Sequence, residues 1–276
     1  MGKAETAIRV RHVSKSYRQY KTNMQKIGFL LLKRDTGIRT DVLQDISFDI
    51  KKGEKVGIIG RQQSGKTTLM RIIAGVIRPD SGKVKISGGL TSILEVRLGF
   101  DAAMTGLDNY KVMTTALGWS SEMIKEHEDS VFEFAKLTDE KDETLRSYKK
   151  GAPTRLGFAI ATEMGNDIYL YDGPLSFGSK IWNKICINRL LKLIDGDTTF
   201  VMSVNKLADG AKLCGRGIVI HEGELVFDGP YADAVDYFRK NCRQSSRKKE
   251  TEAMNEEVEA EQEDLSDSDE ENSDDM

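Results

Sequence analysis

The chain alternates between two hydrophobic patterns. Short runs that are wholly apolar, or apolar at every second position, read as strands. Longer stretches with apolar residues three and four apart read as helices. Ala7 to Val13 alternates as a strand, and VSKSYRQY follows it, with Tyr17 closing that first unit. Val42 to Ile50, VLQDISFDI, alternates again and runs into a turn at Lys51-Lys52-Gly53-Glu54. The apolar run Val56 to Ile59 meets a glycine-bounded loop, and LMRIIAGVI then predicts a helix ending near Gly75. Arg78 to Gly82, RPDSG, is a turn into the strand KVKIS. Ser92 to Gly99 reads as a short apolar strand with Glu95 inside it, and FDAAMTGLDNY as a loop entering a helix at Thr105. Asp108 to Leu137 is largely helical, with SSEMIKEHEDSVFEFAKL predicting a capped, amphipathic second helix.

A break at Ser147 to Gly151, SYKKG, precedes a helix over Thr154 to Met164. A buried-type strand covers Asp167 to Tyr171 and stops at Asp172. Then come a helix over Lys180 to Ile194, a strand over Thr198 to Ser203, and a helix over Lys206 to Leu213. Gly217 to Phe227 is a hairpin turning at Glu222-Gly223, and Tyr231 to Phe238 is the last helix. Strands alternating with helices through the middle predict an α/β fold on a parallel sheet. The early strand-rich part predicts an attached antiparallel layer.

Two stretches fit neither pattern. Lys21 to Arg34 is basic, with an apolar patch of Met24, Ile27, Phe29, Leu30 and Leu31. It reads as a short amphipathic helix or a hairpin excursion, either a plain surface loop or a contact with a membrane subunit or lipid headgroups. From Arg243 the sequence turns polar, then strongly acidic, without aromatic residues. Such a segment buries too little apolar surface to fold, so the expected division is a folded domain over 1–240 and a disordered acidic tail over 241–276.

Composition changes this picture in one respect. The 276 residues, 39% of them hydrophobic, suffice for one large or two modest domains. The net charge of −3 hides an asymmetry: from Glu250 onward there are 14 acidic residues and no basic one. The preceding residues therefore carry 41 Lys+Arg against 44 − 14 = 30 acids. A basic body suits an anionic membrane surface or nucleic acid, or is simply a solvated lysine-rich surface. Cys186, Cys214 and Cys242 have no CxxC or metal spacing, so a reducing compartment is the default. His12, His127 and His221 form no metal cluster in sequence. The start MGKAETAIRV lacks the apolar core of a signal peptide, and runs such as Gly28 to Leu32 are far too short to span a bilayer. A membrane role therefore needs a partner.

The chemistry is concentrated in VGIIGRQQSGKTT. Gly60, Gly65, Lys66 and Thr67 fit the phosphate-loop spacing G-x-x-x-x-G-K-[ST], and Arg61, Gln62, Gln63, Ser64 and Thr68 complete the loop. Backbone N–H groups turned inward, with a helix N-terminus behind them, make an anion site. Lys66 is expected to reach the β- and γ-phosphates, and the Thr67 hydroxyl to ligate Mg²⁺. A chance glycine-rich turn is the alternative, and the strand–loop–helix context opposes it. Gln62 and Gln63 are bulky where a loop closing on phosphates favours small residues.

Further along, the order of motifs resembles that of the nucleotide-binding subunits of ATP-binding-cassette (ABC) transporters. VSKSY resembles the adenine-stacking loop, with Tyr17 as the aromatic, and GRQQSGKTT the phosphate loop. RPDSGKV, MTGLDN and YKKGAPTRLGFAIAT resemble the turn after the phosphate-loop helix, the segment after the Q-loop, and the signature helix. IYLYDGPLSFGS is similar to Walker B with the D-loop, and FVMSVNKLADGAKLCGRGIVIHEGELVFDGP to the switch region and closing hairpin. The likeness runs over about residues 7 to 240. The excursion after Tyr17, MTGLDN and the R-L-G-F-A-I-A helix resemble more narrowly the exporters of capsular polysaccharide, O-antigen or teichoic acid. The resemblance implies an ABC cassette of the P-loop NTPase class, with a parallel-sheet core, an antiparallel β layer and a helical subdomain. It implies ATP and Mg²⁺ as ligands and Asp172 as a metal-holding carboxylate. It implies an integral membrane permease and a second nucleotide-binding subunit, in a homo- or heterodimer, as partners, and no nucleic acid. The implied location is the cytoplasmic face of the inner (plasma) membrane, as a peripheral subunit.

This sequence departs from the family where the family hydrolyses ATP. The position of the catalytic glutamate, after Asp172, is Gly173, and that of the switch histidine, after Ser203, is Val204. Ser179 stands for the D-loop aspartate, Asp101 at the Q-loop position, Lys149 and Lys150 for the signature serine and its neighbour, and Gln63 for the middle glycine of the phosphate loop. Glycine and valine have no group to orient water. No catalytic residue is therefore assigned. Two functions follow: an ATP-binding exporter subunit with impaired hydrolysis, or a pseudo-ATPase acting as a scaffold or regulatory subunit of an export machine. A soluble ABC protein of translation or DNA repair fits less well, because the second cassette or long coiled coil usual there is missing.

Overall fold

A computed structural model describes residues 5–19, 38–93, 99–163, 165–173 and 179–242. The expected excursion at Lys21 to Arg34 and the acidic segment from 243 onward lie outside these residues. So does the stretch between Ile93 and Gly99, so the expected strand over Ser92 to Gly99 is seen only as its beginning, within β5 (Leu90–Ile93).

The first layer is an antiparallel sheet of three strands, β1 (Thr6–Gln19), β2 (Ile38–Lys51) and β4 (Ser81–Ile86), in the order β2-β1-β4. Both long strands exceed the sequence expectation. β1 continues past Val13 through VSKSYRQ, and β2 begins before Val42. Register shifts along β1 let it bend without losing its partner. The second layer has the order β5-β6-β7-β3-β8-β9, with β3 (Lys55–Ile59), β6 (Ile168–Asp172), β7 (Thr199–Ser203), β8 (Arg216–His221) and β9 (Glu224–Pro230). All of its pairs are parallel except β8–β9, the hairpin.

The central strands are apolar at nearly every position because both faces are covered. Ile58, Leu170, Val201 and Ile218 face one core, shared with Ile8, Val10, Val13 and Ile46 of the antiparallel sheet. Leu69, Met70 and Ile72 of α1 (Lys66–Ile73) fill the space between the two sheets. Ile59, Tyr169, Tyr171, Phe200 and Met202 face the other way. There they meet α5 (Lys180–Ile194), α6 (Leu207–Leu213) and α7 (Tyr231–Tyr237), the last continued by a single π-type turn to Cys242. All three cysteines are buried and unpaired.

A third core holds the helical layer: α2 (Gly106–Ala116), α3 (Ser121–Ala135) and α4 (Ala152–Glu163) around Tyr110, Phe132 and Leu156. Side-chain oxygens close the helix starts, Thr105 accepting from Asp108 N–H and Ser120 from Met123 N–H. A partly buried polar cluster ties this layer to α5. The Glu163 carboxylate on α4 accepts from Arg189 on α5 (2.7 Å), and from Ser130 (2.5 Å) and His127 (3.1 Å) on α3. Arg189 also lies over the Phe134 ring, 4.1 Å from its centroid.

Candidate nucleotide site

The parallel strands end at one edge, and the sequence-predicted phosphate loop lies there. β3 stops at Ile59, the loop runs from Gly60 to Gly65, and α1 starts at Lys66. The ends of open α/β strands are where ligands sit, because loop N–H groups and helix N-termini converge there. Lys66 is 9% exposed, and its ammonium donates to the carbonyls of Gly60 and Arg61, both at 2.7 Å. It is thereby drawn back under the loop. Burial lowers its pKa, and the nearby Asp172 carboxylate works against that shift.

The loop is built for close approach. A Cβ at Gly60 would collide with the Ser64 hydroxyl and the Ile220 carbonyl, so only glycine lets the strand end pass. Ser64 is 6% exposed, and its hydroxyl has no hydrogen-bond partner among the described residues. A buried orphan hydroxyl at the phosphate loop fits a phosphate oxygen as its missing partner. Gln63 adopts φ 64°, the left-handed region that glycine favours. That is the physical reason a glycine is usual there. Gln62 and Gln63 are both exposed, so their bulk is directed to solvent rather than packed into the core. Gln63, Ser64, Gly65, Lys66, Thr67 and Thr68 line a recess of about 230 Å³, and Val42 of β2 closes one side.

Val42 was not legible as a site residue. Its place follows from the antiparallel sheet lying over the loop. Two residues before it Thr40 pairs with Tyr17 across β1–β2, which sets Tyr17 on the same flank. The Tyr17 ring is 39% exposed, with the Lys15 ammonium 5.6 Å from its centroid. A partly exposed ring beside a phosphate recess can stack a base.

Asp172 ends β6, two strands from β3, and pairs in register with Ser203 at the end of β7. The Ser203 hydroxyl donates to its carboxylate. Sequence reading missed Ser203 as the partner that orients Asp172. Asp172, Thr67 and the Lys66 ammonium all belong to this edge, and an oxygen-only pair of hydroxyl and carboxylate suits Mg²⁺, which takes few protein ligands and keeps phosphate and water oxygens.

The positions that follow Asp172 and Ser203 are Gly173 and Val204. Gly173 has φ 143°, and among the described residues no atom lies within 4 Å of a Cβ built there. Val204 is 4% exposed, packed with the Tyr231 and Leu213 core, and its N–H donates to Ile58 carbonyl at 2.8 Å. It therefore faces protein interior rather than the recess. Asp101 serves its own loop: it accepts from Ala103 N–H, and Asn109, 1% exposed, holds its backbone from both sides. Lys149 and Lys150 are exposed at the start of α4, carried by the helical layer. Arg155, one turn into α4, lies 4.6 Å from the centroid of Trp182, one turn into α5, whose start Ser179 caps. The two helix starts are therefore in contact through this pair.

The sequence pattern of the ABC transporter family matches residues 43–176. The teichoic acids export ATP-binding protein TagH of Listeria innocua is 33% identical over 256 residues, which cover 90% of this chain and 76% of that protein. The protein of the same name from Levilactobacillus brevis is 32% identical over 84% of this chain and 64% of its own length. Among solved structures, a dimeric ATP-binding cassette in a post-hydrolysis state bound to ADP and Pi superposes with a TM-score of 0.65. At 18% identity, it covers 81% of this chain and 98% of that one, which is a likeness of fold. Fold, loop and relatives agree, and the chain belongs to the ATP-binding proteins of ABC transporters.

Proposed function

We propose that the chain is the ATP-binding subunit of an exporter of teichoic-acid-type or related polysaccharide, and that it holds ATP with little hydrolysis of its own. One contrast supports this: the groups expected to hold ATP are present, whereas the two positions expected to activate water are a glycine and a valine. Lys66, the loop N–H groups and Asp172 with Ser203 share one edge, whereas Gly173 offers no side chain and Val204 is buried. The relatives named for teichoic acid export support the cargo class.

In this reading Lys66 leaves the Gly60 and Arg61 carbonyls and donates to the β- and γ-phosphates. The N–H groups of residues 61–68 surround the same oxygens, and the Ser64 hydroxyl finds its partner there. Thr67 and Asp172 hold Mg²⁺, which neutralises phosphate charge when bound. Tyr17 stacks on adenine. ATP binding closes a second nucleotide-binding subunit over the site, and a permease carries the pair at the cytoplasmic face of the plasma membrane. Residues 1–240 act as the cassette and 241–276 as a separate tail. A hydrolysing partner subunit supplies turnover if the pair is asymmetric.

Gly173 and Val204 equally favour a second reading, a pseudo-ATPase that tethers or regulates an export machine. Titration of the purified chain with ATP–Mg²⁺, followed by turnover measured alone and with candidate partners, separates the two. Binding without turnover, and turnover only with a partner, supports the first. An absence of binding at millimolar ATP sinks it and leaves the scaffold.

A further inference from the structure

We propose that the outer face of the three-stranded sheet is a docking site for the chain's own acidic C-terminal segment. Two observations point to an anionic occupant. The first is register. β1 pairs with β4 so that Arg9 stands opposite Lys85 and Arg11 opposite Lys83. Like charges directly opposite on adjacent strands destabilise a sheet, unless an anion lies between them. Val10 and Val84 point inward on the same strands, so all four cations share the outer face.

The second is how the neighbouring acid Asp49 is used. Asp49 on β2 is taken by both arginines, Arg9 Nε at 3.2 Å and Arg11 Nη2 at 2.5 Å. Nothing of it is left for β4, and neither Lys83 nor Lys85 has an acidic partner among the described residues. Among the described strands β4 is also an edge strand, with β1 its one neighbour. Lysines on an edge oppose pairing with a second copy's strand, so the face repels its own kind and favours a polyanion.

The chain carries such a polyanion. Residues 263–275 hold eight acids, and 250–276 hold 14 with no base. The roughly 20 residues between Cys242 and Glu263 reach up to about 70 Å when extended, which is more than enough to cross a domain of this size. Tethering makes the encounter intramolecular, with an effective concentration in the millimolar range for short flexible links. Charge complementarity then favours Lys83 and Lys85, which have no acidic partner among the described residues.

Zero-length carbodiimide coupling tests this on the full chain, since it joins a lysine amine to a carboxylate in contact with it. The sample is a mixture of normal and heavy-isotope protein, and coupled peptides are mapped by mass spectrometry. The expected products join Lys83 or Lys85 to residues 263–275 within one molecule. Raising salt from about 0.05 M to about 0.5 M should lower their yield at least about threefold, and Lys83→Glu/Lys85→Glu should abolish them. Should that variant fail to fold, the full chain with the eight acids of 263–275 changed to Asn or Gln replaces it. Faster amide exchange in β4 than in the unaltered protein is then expected. Equal coupling to Lys180, Lys184 and Lys192 on α5, or a majority of mixed-isotope pairs, would overturn the proposal. So would binding of the full chain to phosphatidylglycerol vesicles that needs Lys83 and Lys85 while no tail coupling occurs.

Discussion

Placing a carboxylate at Gly173 is the sharpest perturbation of the site. The glycine follows Asp172 directly, and a Cβ built there meets no atom of the described residues within 4 Å. Its backbone is the obstacle: at φ 143° an L residue is strained by about 1–3 kcal/mol. That strain is present in the ground state and the transition state alike, so it lowers stability without raising the barrier. For a chain of this length about 1 kcal/mol moves Tm by about 2–4 °C, so the strain of about 1–3 kcal/mol predicts a fall of about 2–12 °C for Gly173→Glu. A positioned general base contributes about 10²–10⁴-fold to a hydrolytic step, so steady-state release of phosphate should rise by that factor over the unaltered chain. The assay is phosphate release at saturating ATP–Mg²⁺, with a thermal melt of the same samples and Lys66→Ala as the background. If Gly173→Glu binds ATP normally but releases phosphate no faster than the parent, the missing carboxylate is not what limits hydrolysis. If the parent already turns over at the variant's rate, and Lys66→Ala abolishes it, the reading of Gly173 is wrong outright.

The other expectations are structural and electrostatic. Val204→His puts an imidazole into a site 4% exposed and lined by Tyr231 and Leu213, and should cost about 1–3 kcal/mol in urea unfolding; no loss would mean the side chain turns to the recess. Glu163→Ala strips the counter-charge from Arg189, which keeps its bond to the Thr162 carbonyl and its contact with Phe134, so about 3 kcal/mol of stability should go, the low end for a broken buried pair. Burial raises the Glu163 pKa, but the bonds from Ser130, Arg189 and His127 outweigh it and leave it below 4.5. Its contribution is therefore whole above that pH and fades as pH falls, and Glu163→Gln should flatten this acid limb in denaturation measured across pH. Lys66, whose pKa burial lowers, should regain a normal or higher pKa against phosphate. ATP binding should then take up protons increasingly as pH rises toward the lysine range. Calorimetry in buffers of different ionisation enthalpy reads this directly, and proton release there would contradict the placement of Lys66.

Some features were legible because a local pattern dictates them. The phosphate loop depends on glycine at Gly60 and on a lysine at the first turn of a helix, and both are written within nine residues. The central strands could be read because strands covered on both faces are apolar throughout. Helix starts at Thr105 and Ser120 were readable from their capping side chains. Strand length was harder: β1 and β2 hold each other over 14 residues each, and a polar stretch such as VSKSYRQ becomes a strand because its partner supplies the hydrogen bonds. The losses at Gly173 and Val204 were visible as residue types. That Val204 is turned into the core was not.

The sequence by itself determined which chemical groups exist: a phosphate cradle with Lys66 and Thr67, a carboxylate at Asp172, and no base or imidazole after them. It also determined that charge is divided between a basic body and an acidic end. Tertiary structure alone decided which groups meet. Parallel pairing of β3, β7 and β6 brings Lys66 to Asp172 across more than a hundred residues, and gives Asp172 its hydroxyl from Ser203. The β1–β4 register sets Arg9 against Lys85 and Arg11 against Lys83. Periodicity tells which face a side chain takes, but not which strand lies beside it. That choice is made by the packing of both sheets around α1, which no local pattern records.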